Sequence, residues 1–365
     1  MEDMSVNVSV GNTTGELFDI MERNMTIGTN PPFPDEVTWG FWIKFVLTPV
    51  IVCTGIIGNT LSLIVMKSKA LRHKSYSQYL SALAMFDTLT LILRQIRTVD
   101  DYFLNQMNQN MVFKGFNDFG CKLFNFIEHV SYLMSSWLIV LMAIERLVAV
   151  WMPFKKFRIR RRAGATAAII ILLVAICASQ SFRLVMTVHL GDDCGADDTF
   201  IQLFVDLTIY FYNMTLTFLL PVGIVLGCNS MVLYQIFKIR KELIQENTRN
   251  RTTRAVKKTH RTTCMLLIVS FTFLGALLPL LTMTLVFDFY MKVNGPEAIF
   301  LYRKIAPYID LLVLLSLVNY AVNFFIYIVS GKSFRFELRK VFYRQKVQVT
   351  RSFTARSTKE FIYRF

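Results

Sequence analysis

The sequence predicts an all-α membrane protein, a seven-transmembrane helix bundle with a short amphipathic eighth helix. Three observations carry that expectation. Apolar residues make up 54% of the chain and the mean hydropathy is +0.44, which soluble domains rarely combine with long uncharged runs. Seven apolar runs are each long enough to cross a hydrocarbon core of roughly 30 Å as a helix. The Lys and Arg residues behind the formal net charge of +15 collect in the links between alternate runs. That is a membrane-topology pattern, not a nucleic-acid patch, so membrane lipid is an expected partner and nucleic acid is not.

Residues 1–39 read as a polar, acidic tail with three glycosylation acceptors, Asn7, Asn12 and Asn24, each followed by x-Thr or x-Ser. Three sequons in one acidic tail place it on the extracellular side. No basic n-region leads into an apolar core, so the first apolar run is expected to carry the tail across. The helical domain, 40–330, holds the runs Gly40–Met66, Gln78–Thr98, Cys121–Val150, Ala163–Val188, Phe200–Phe237, Thr262–Phe287 and Ile305–Ser330. The second and the seventh are the least apolar. Basic links follow the first, third and fifth runs: Lys67 to Lys74, Lys155 to Arg162, and Lys238 to Arg261. Acidic pairs occupy the opposite side, at Asp100-Asp101, Asp192-Asp193 and Asp197-Asp198. The positive-inside rule therefore places a multi-pass protein in the plasma membrane with its N-terminus outside. Ser330-Gly331 is a helix stop. Over 331–343, Phe334, Leu338, Val341 and Phe342 recur at helical spacing among Lys332, Arg335, Arg339 and Lys340, as in a helix lying on the inner leaflet. Residues 344–365 read as a disordered cytosolic tail with Thr350, Ser352, Thr354, Ser357 and Thr358 as phosphoacceptors.

Of six cysteines, Cys53, Cys177, Cys228 and Cys264 fall inside runs and are expected to be inert core residues. Cys121 and Cys194 lie just outside runs on one side, and we read them as a disulfide in an oxidising compartment. The spacing does not resemble a zinc site.

Polar residues inside the spans are costly and are functional candidates. Asn59 lies mid-way in the first run and Asp87 mid-way in the second. Ser135 stands three turns before Arg146 on the same helix face. Asn319 and Asn323 lie one turn apart in the seventh run, ahead of Tyr327. A cluster that only aligns helices accounts for one or two of these residues, not for all. A buried carboxylate needs partners, and a hard cation such as sodium would serve as one.

Together these residues resemble rhodopsin-like G-protein-coupled receptors, over roughly Gly40 to Tyr343. The third run closes on Glu145-Arg146-Leu147, similar to the family's acid-Arg-aromatic motif with Leu147 in the last place. Asn59, Asp87, Ser135, Asn319 and Asn323 match the positions of its sodium-linked polar core. The cysteine pair, Pro221 and Pro279 also match. Phe273 to Pro279 resembles Phe-x-x-Cys-Trp-x-Pro, with Ala276 and Leu277 replacing Cys and Trp. Asn323-Phe324-x-x-Tyr327 resembles Asn-Pro-x-x-Tyr. Asn229 stands where a Tyr is usual and Thr259 where an acid often holds the Arg, and the fourth run lacks its usual Trp. The Asn-Phe-x-x-Tyr and Glu-Arg-Leu-Val-Ala-Val-Trp sequences are similar to invertebrate neuropeptide receptors of the FMRFamide-receptor-like group. The resemblance implies coupling to a heterotrimeric G protein through Glu145 and Arg146, arrestin as a further partner, and sodium as an allosteric ion.

Other classes are less well served. An opsin needs a retinal-binding Lys at Leu317, and the run Ile305–Ser330 has none. A transporter would often show internal repeats and paired broken helices, and no convincing repeat occurs. An enzyme would need a nucleophile–base pair, a metal cluster or a phosphate loop, none of which the motifs supply. A seven-helix receptor for a non-peptide ligand, chemoreceptor-like, is the nearer alternative. Glu128 lies five turns before Arg146 and so faces the same side, at the depth of Arg94 and Arg97. Two readings stay open there. One is an internal Glu128–Arg pair that fixes the second and third helices. The other is a ligand site, with Glu128 taking the arginine of a small basic amidated peptide and Arg94 or Arg97 meeting its carbonyl or carboxylate.

Overall fold

A computed structural model describes residues 38–107, 112–152, 162–189, 194–197, 199–245, 252–294 and 298–343. The three sequons, Asp192, Asp193, Asp198 and the tail phosphoacceptors lie outside them. Helix α1 spans Trp39–Met66, α2 Ser75–Met107, α3 Asp118–Trp151 and α4 Arg162–Gln180. Helix α5 runs through Ile201–Val205, a π-helical stretch Asp206–Leu219 and an α-helical part Leu220–Gln245. Helix α6 spans Thr252–Asn294, and α7 spans Ala298–Ala321 and resumes over Asn323–Ser330. The chain is helical again over 332–343, here α8.

Local chemistry sets several ends. Thr38 Oγ1 accepts from the Phe41 amide at 3.2 Å to cap α1, and Asn117 Oδ1 accepts from the Gly120 amide at 2.7 Å to cap α3. Arg335 Nη1 donates to the carbonyls of Ile328 (2.5 Å) and Val329 (2.7 Å), serving the orphan acceptors where α7 ends. Thr215 Oγ1 donates to the carbonyl of Tyr210 at 2.9 Å, a five-residue reach that belongs to the wider π turn. A Cβ on Gly40 would collide with the Pro307 backbone, so only glycine lets α1 and α7 approach so closely there.

Helix α3 is the axis of the bundle, packed against α2, α4, α5 and α6. Its Met134, Leu138 and Ile139 are buried in a core cluster shared with Leu80 of α2, Val225 of α5 and Phe273 of α6. Among the described residues six helices are long and apolar enough to cross a membrane. Helix α2 is not among them, because Asp87, Arg94, Arg97, Asp100 and Asp101 lower its hydropathy.

Three expectations need correction. The fourth run is not one unbroken helix to Val188: α4 ends at Gln180, a further helical turn covers Arg183–Met186, and Thr187–His189 pairs antiparallel with Cys194–Ala196. The second helix is longer than Gln78–Thr98, because Asp100 and Asp101 are buried rather than in a loop. Cys53 is exposed on the outside of the bundle, Cys177 is half-buried and Cys228 is buried; the Cys264 side chain lies outside the described residues. A cysteine facing lipid needs no core, since its thiol is apolar enough for hydrocarbon.

Candidate functional site

A disulfide and a series of polar clusters run down the bundle. At the first end, Cys121 and Cys194 form a disulfide with Cα atoms 5.3 Å apart, joining the start of α3 to the short sheet. Replacing either cysteine by serine is expected to cost about 2–4 kcal/mol and to reduce surface expression or binding. Surface labelling of Cys121→Ser and Cys194→Ser checks this, and wild-type levels with wild-type binding in both would count against it.

Deeper in the bundle, Arg94, Arg97 and Glu128 do come together, but their tasks differ. Arg97 Nε donates to both Glu128 oxygens, at 2.9 and 2.7 Å, and Nη2 lies 2.5 Å from Oε2. Tyr132 Oη donates to Oε1 at 2.6 Å. Glu128 is 1% exposed and its acceptor sites are occupied. Arg94 holds its guanidinium over the Tyr132 ring, 5.0 Å from the centroid. A cavity of about 1270 Å³, counting its open mouth, is lined by residues of α2 to α7, among them Arg94, Tyr132, Gln180, Asn213, Thr284 and Tyr320. Glu128 and Arg97 do not line it. The expectation that a ligand's arginine competes for Glu128 therefore fits this geometry poorly: the carboxylate is buried, absent from the cavity lining, and already bonded to Arg97 and Tyr132.

Two further buried clusters escaped the sequence reading. Lys44 Nζ lies 2.8 Å from Asp310 Oδ1 and 3.6 Å from Asp101 Oδ2, tying α1, α7 and α2. Arg183, fully buried, donates to Gln180 Oε1 and Thr208 Oγ1, each at 2.9 Å. The available signal was a charge inside an apolar run, at Lys44, Asp310 and Arg183 alike.

At mid-depth Ser135 Oγ donates to Asp87 Oδ1 at 2.5 Å and Asn323 Nδ2 to Asp87 Oδ2 at 2.7 Å. Asn59 does not reach Asp87 by a direct bond; its Nδ2 donates to the Tyr320 carbonyl at 3.1 Å. Asn319 offers its carbonyl to Asn323 Nδ2 at 3.4 Å. Phe273, Pro221 and Tyr327 are buried, and Leu277, buried as well, reaches the cavity wall. Pro279 lies inside α6. Helix α7 is interrupted at Val322 without a proline at 324, and Phe324 instead packs its ring against Phe334 of α8, with centroids 6.0 Å apart.

At the far end Glu145 accepts from Ser75 Oγ, and Arg146 Nη2 lies 3.5 Å from Glu145 Oε2 with its guanidinium over the Tyr76 ring. The foot of α2 thus holds the Glu145–Arg146 pair.

Residues 58–327 match the family described as 7 transmembrane receptor (rhodopsin family). The chain is also similar to the galanin-like G-protein coupled receptor npr-9 of Caenorhabditis elegans, 30% identical over 131 residues. That match spans 36% of this chain and 28% of the relative's length.

Proposed function

The chain belongs to the rhodopsin family of seven-transmembrane receptors, and on that premise we propose that it is a plasma-membrane receptor for a small, basic, amidated neuropeptide. It is a multi-pass membrane receptor of a G-protein-coupled family, not an enzyme. In our reading the N-terminus and the disulfide end face outward, and Glu145 and Arg146 face the cytosol, where a heterotrimeric G protein and arrestin bind.

The observation that carries the peptide reading is the cavity. It has an open mouth, draws its wall from six helices, and sets a few polar side chains in a mostly apolar lining, as ligand sites do. It takes the end of a peptide whose remainder stays at the mouth. Similarity to a galanin-like receptor supports the same class. Basic residues of the ligand are best served outside the cavity, where the link after α4 carries acidic pairs. Among these, Asp197 accepts from the Thr199 amide at 2.8 Å, which holds its carboxyl below the usual range and keeps it charged.

Ligand binding acts by its differential affinity for two packings of the bundle. Screening an amidated-peptide library on cells with a promiscuous G-protein readout tests this. Arg146→Ala is expected to abolish signalling while leaving binding intact at matched surface levels. Response only to non-peptide compounds would replace this reading with the chemoreceptor-like one.

We also propose sodium as an allosteric ion at Asp87. The Asp87 carboxylate and Ser135 hydroxyl are hard oxygen donors that suit it, and Asn59 Oδ1 is buried with no hydrogen-bond partner among the described residues. The ion would supply positive charge to a buried carboxylate and favour the resting packing. Sodium is expected to lower agonist affinity against a choline control, and Asp87→Asn to remove that sensitivity. A mutant that keeps the wild-type response would dismiss the site.

A further inference from the structure

We propose that Arg94 selects the ligand, admitting an inserted end that carries a carbonyl or carboxylate oxygen, and that Glu128 never meets the ligand. The proposal rests on the cavity being the ligand site.

Among the described residues the lining of the cavity contains no Asp or Glu, and Arg94 is its one Lys or Arg. The rest is apolar, such as Leu133, Leu277 and Val313, or neutral-polar, such as Asn213, Thr284 and Ser316. A cationic group inserted here finds no counter-ion and meets a like charge at Arg94. Burying that group without a partner is strongly unfavourable. An acceptor finds the opposite. Among the described residues the Arg94 guanidinium makes no hydrogen bond or ion pair; its contact is the face of Tyr132. A guanidinium carries N–H donors in a planar fork that matches a carboxylate or a carboxamide oxygen.

The fork is also held in place. Arg97 grips Glu128, Glu128 accepts from Tyr132 Oη, and the Tyr132 ring, so fixed, lies under Arg94. Glu128 and Arg97 are in this way positioning residues. Arg97 makes the bonds to Glu128, and the guanidinium that lines the cavity is that of Arg94.

The test uses the full-length receptor at matched surface expression. The probes are short synthetic peptides, each made with a C-terminal carboxamide, a free carboxylate or a reduced alcohol. Wild type is expected to favour an acceptor end over the alcohol by about tenfold or more. Preference for the carboxylate identifies an anionic end, and preference for the carboxamide an amide end. Arg94→Gln should level the forms, Arg94→Lys should retain part of the preference, and Tyr132→Phe should weaken it. Equal response of wild type to all forms, or an undiminished preference in Arg94→Gln, overturns the proposal. So does coupling between Glu128→Gln and an arginine-to-citrulline change in the peptide. If no peptide acts in any form, the peptide reading fails by itself. The same comparison with aromatic carboxylic acids, their amides and their alcohols then decides on Arg94, and equality or silence there overturns it.

Discussion

Lys44→Met is expected to leave most of the receptor off the cell surface and to make the remainder thermally labile in detergent. Lys44 serves two carboxylates, and the side chains of all three partners are at most 8% exposed. Methionine fills the space of the stem but removes the cation, leaving Asp101 and Asp310 to share a low-dielectric site across α2 and α7. Breaking a buried pair in this way costs roughly 3–5 kcal/mol. That is a large part of the margin of a typical fold. Lys44→Met combined with Asp310→Asn should recover much of the loss, because the second change removes one stranded charge. Surface labelling and the half-inactivation temperature of purified receptor check both steps. Wild-type behaviour of Lys44→Met would show that the triad does not hold α1.

Arg97→Met is expected to have a comparable effect through a different pair. Glu128 is 1% exposed and takes its Arg97 bonds on both oxygens. Without the guanidinium it keeps Tyr132, which supplies one neutral donor against a full charge. The cost is again about 3–5 kcal/mol. Glu128→Gln in the same chain should restore expression, and the double-mutant cycle should show strong coupling. If the two changes simply add, the pair is not the connection between α2 and α3. Arg94→Met should show neither behaviour, since Arg94 rests on a ring and not on a carboxylate.

The spans were legible because lipid imposes one requirement on every residue that faces it. The run from Ala163 to Gln180, with Ile169, Ile170 and Ile171 in its middle and no charge along it, could hardly be anything but a span. What partners contribute was less legible. Asp100 and Asp101 look like loop residues, yet Asp100 Oδ1 accepts from the amide of Val112 at 2.7 Å, and Asp101 meets Lys44. Those partners lie in other segments, which no local pattern contains. The same holds beyond α4: the helical turn Arg183–Met186 gives way to Thr187–His189, which is drawn into a sheet by the strand Cys194–Ala196. The meeting of Glu128 with an arginine followed from matched depth on adjacent helices. Which arginine it meets depends on the rotation of α2 about its axis, and helical periodicity alone does not set that. Asn59, grouped with Asp87 by depth, serves the Tyr320 carbonyl instead.

The charge load of α2 also bears on how the chain enters the bilayer. Charged residues at a helix centre each oppose insertion by roughly 2.5–3.5 kcal/mol, less toward the ends. Helix α2 brings Asp87 mid-way and Arg94, Arg97, Asp100 and Asp101 beyond it. Offered to lipid alone it is a poor candidate for partition. Lys44 is already in place on α1 when α2 emerges, but Glu128 arrives only with α3. The second and third helices are therefore best inserted as a pair, with the Arg97–Glu128 bond closing as they leave the translocation machinery. Synthesised first, α2 has no Glu128 to meet until α3 has been translated.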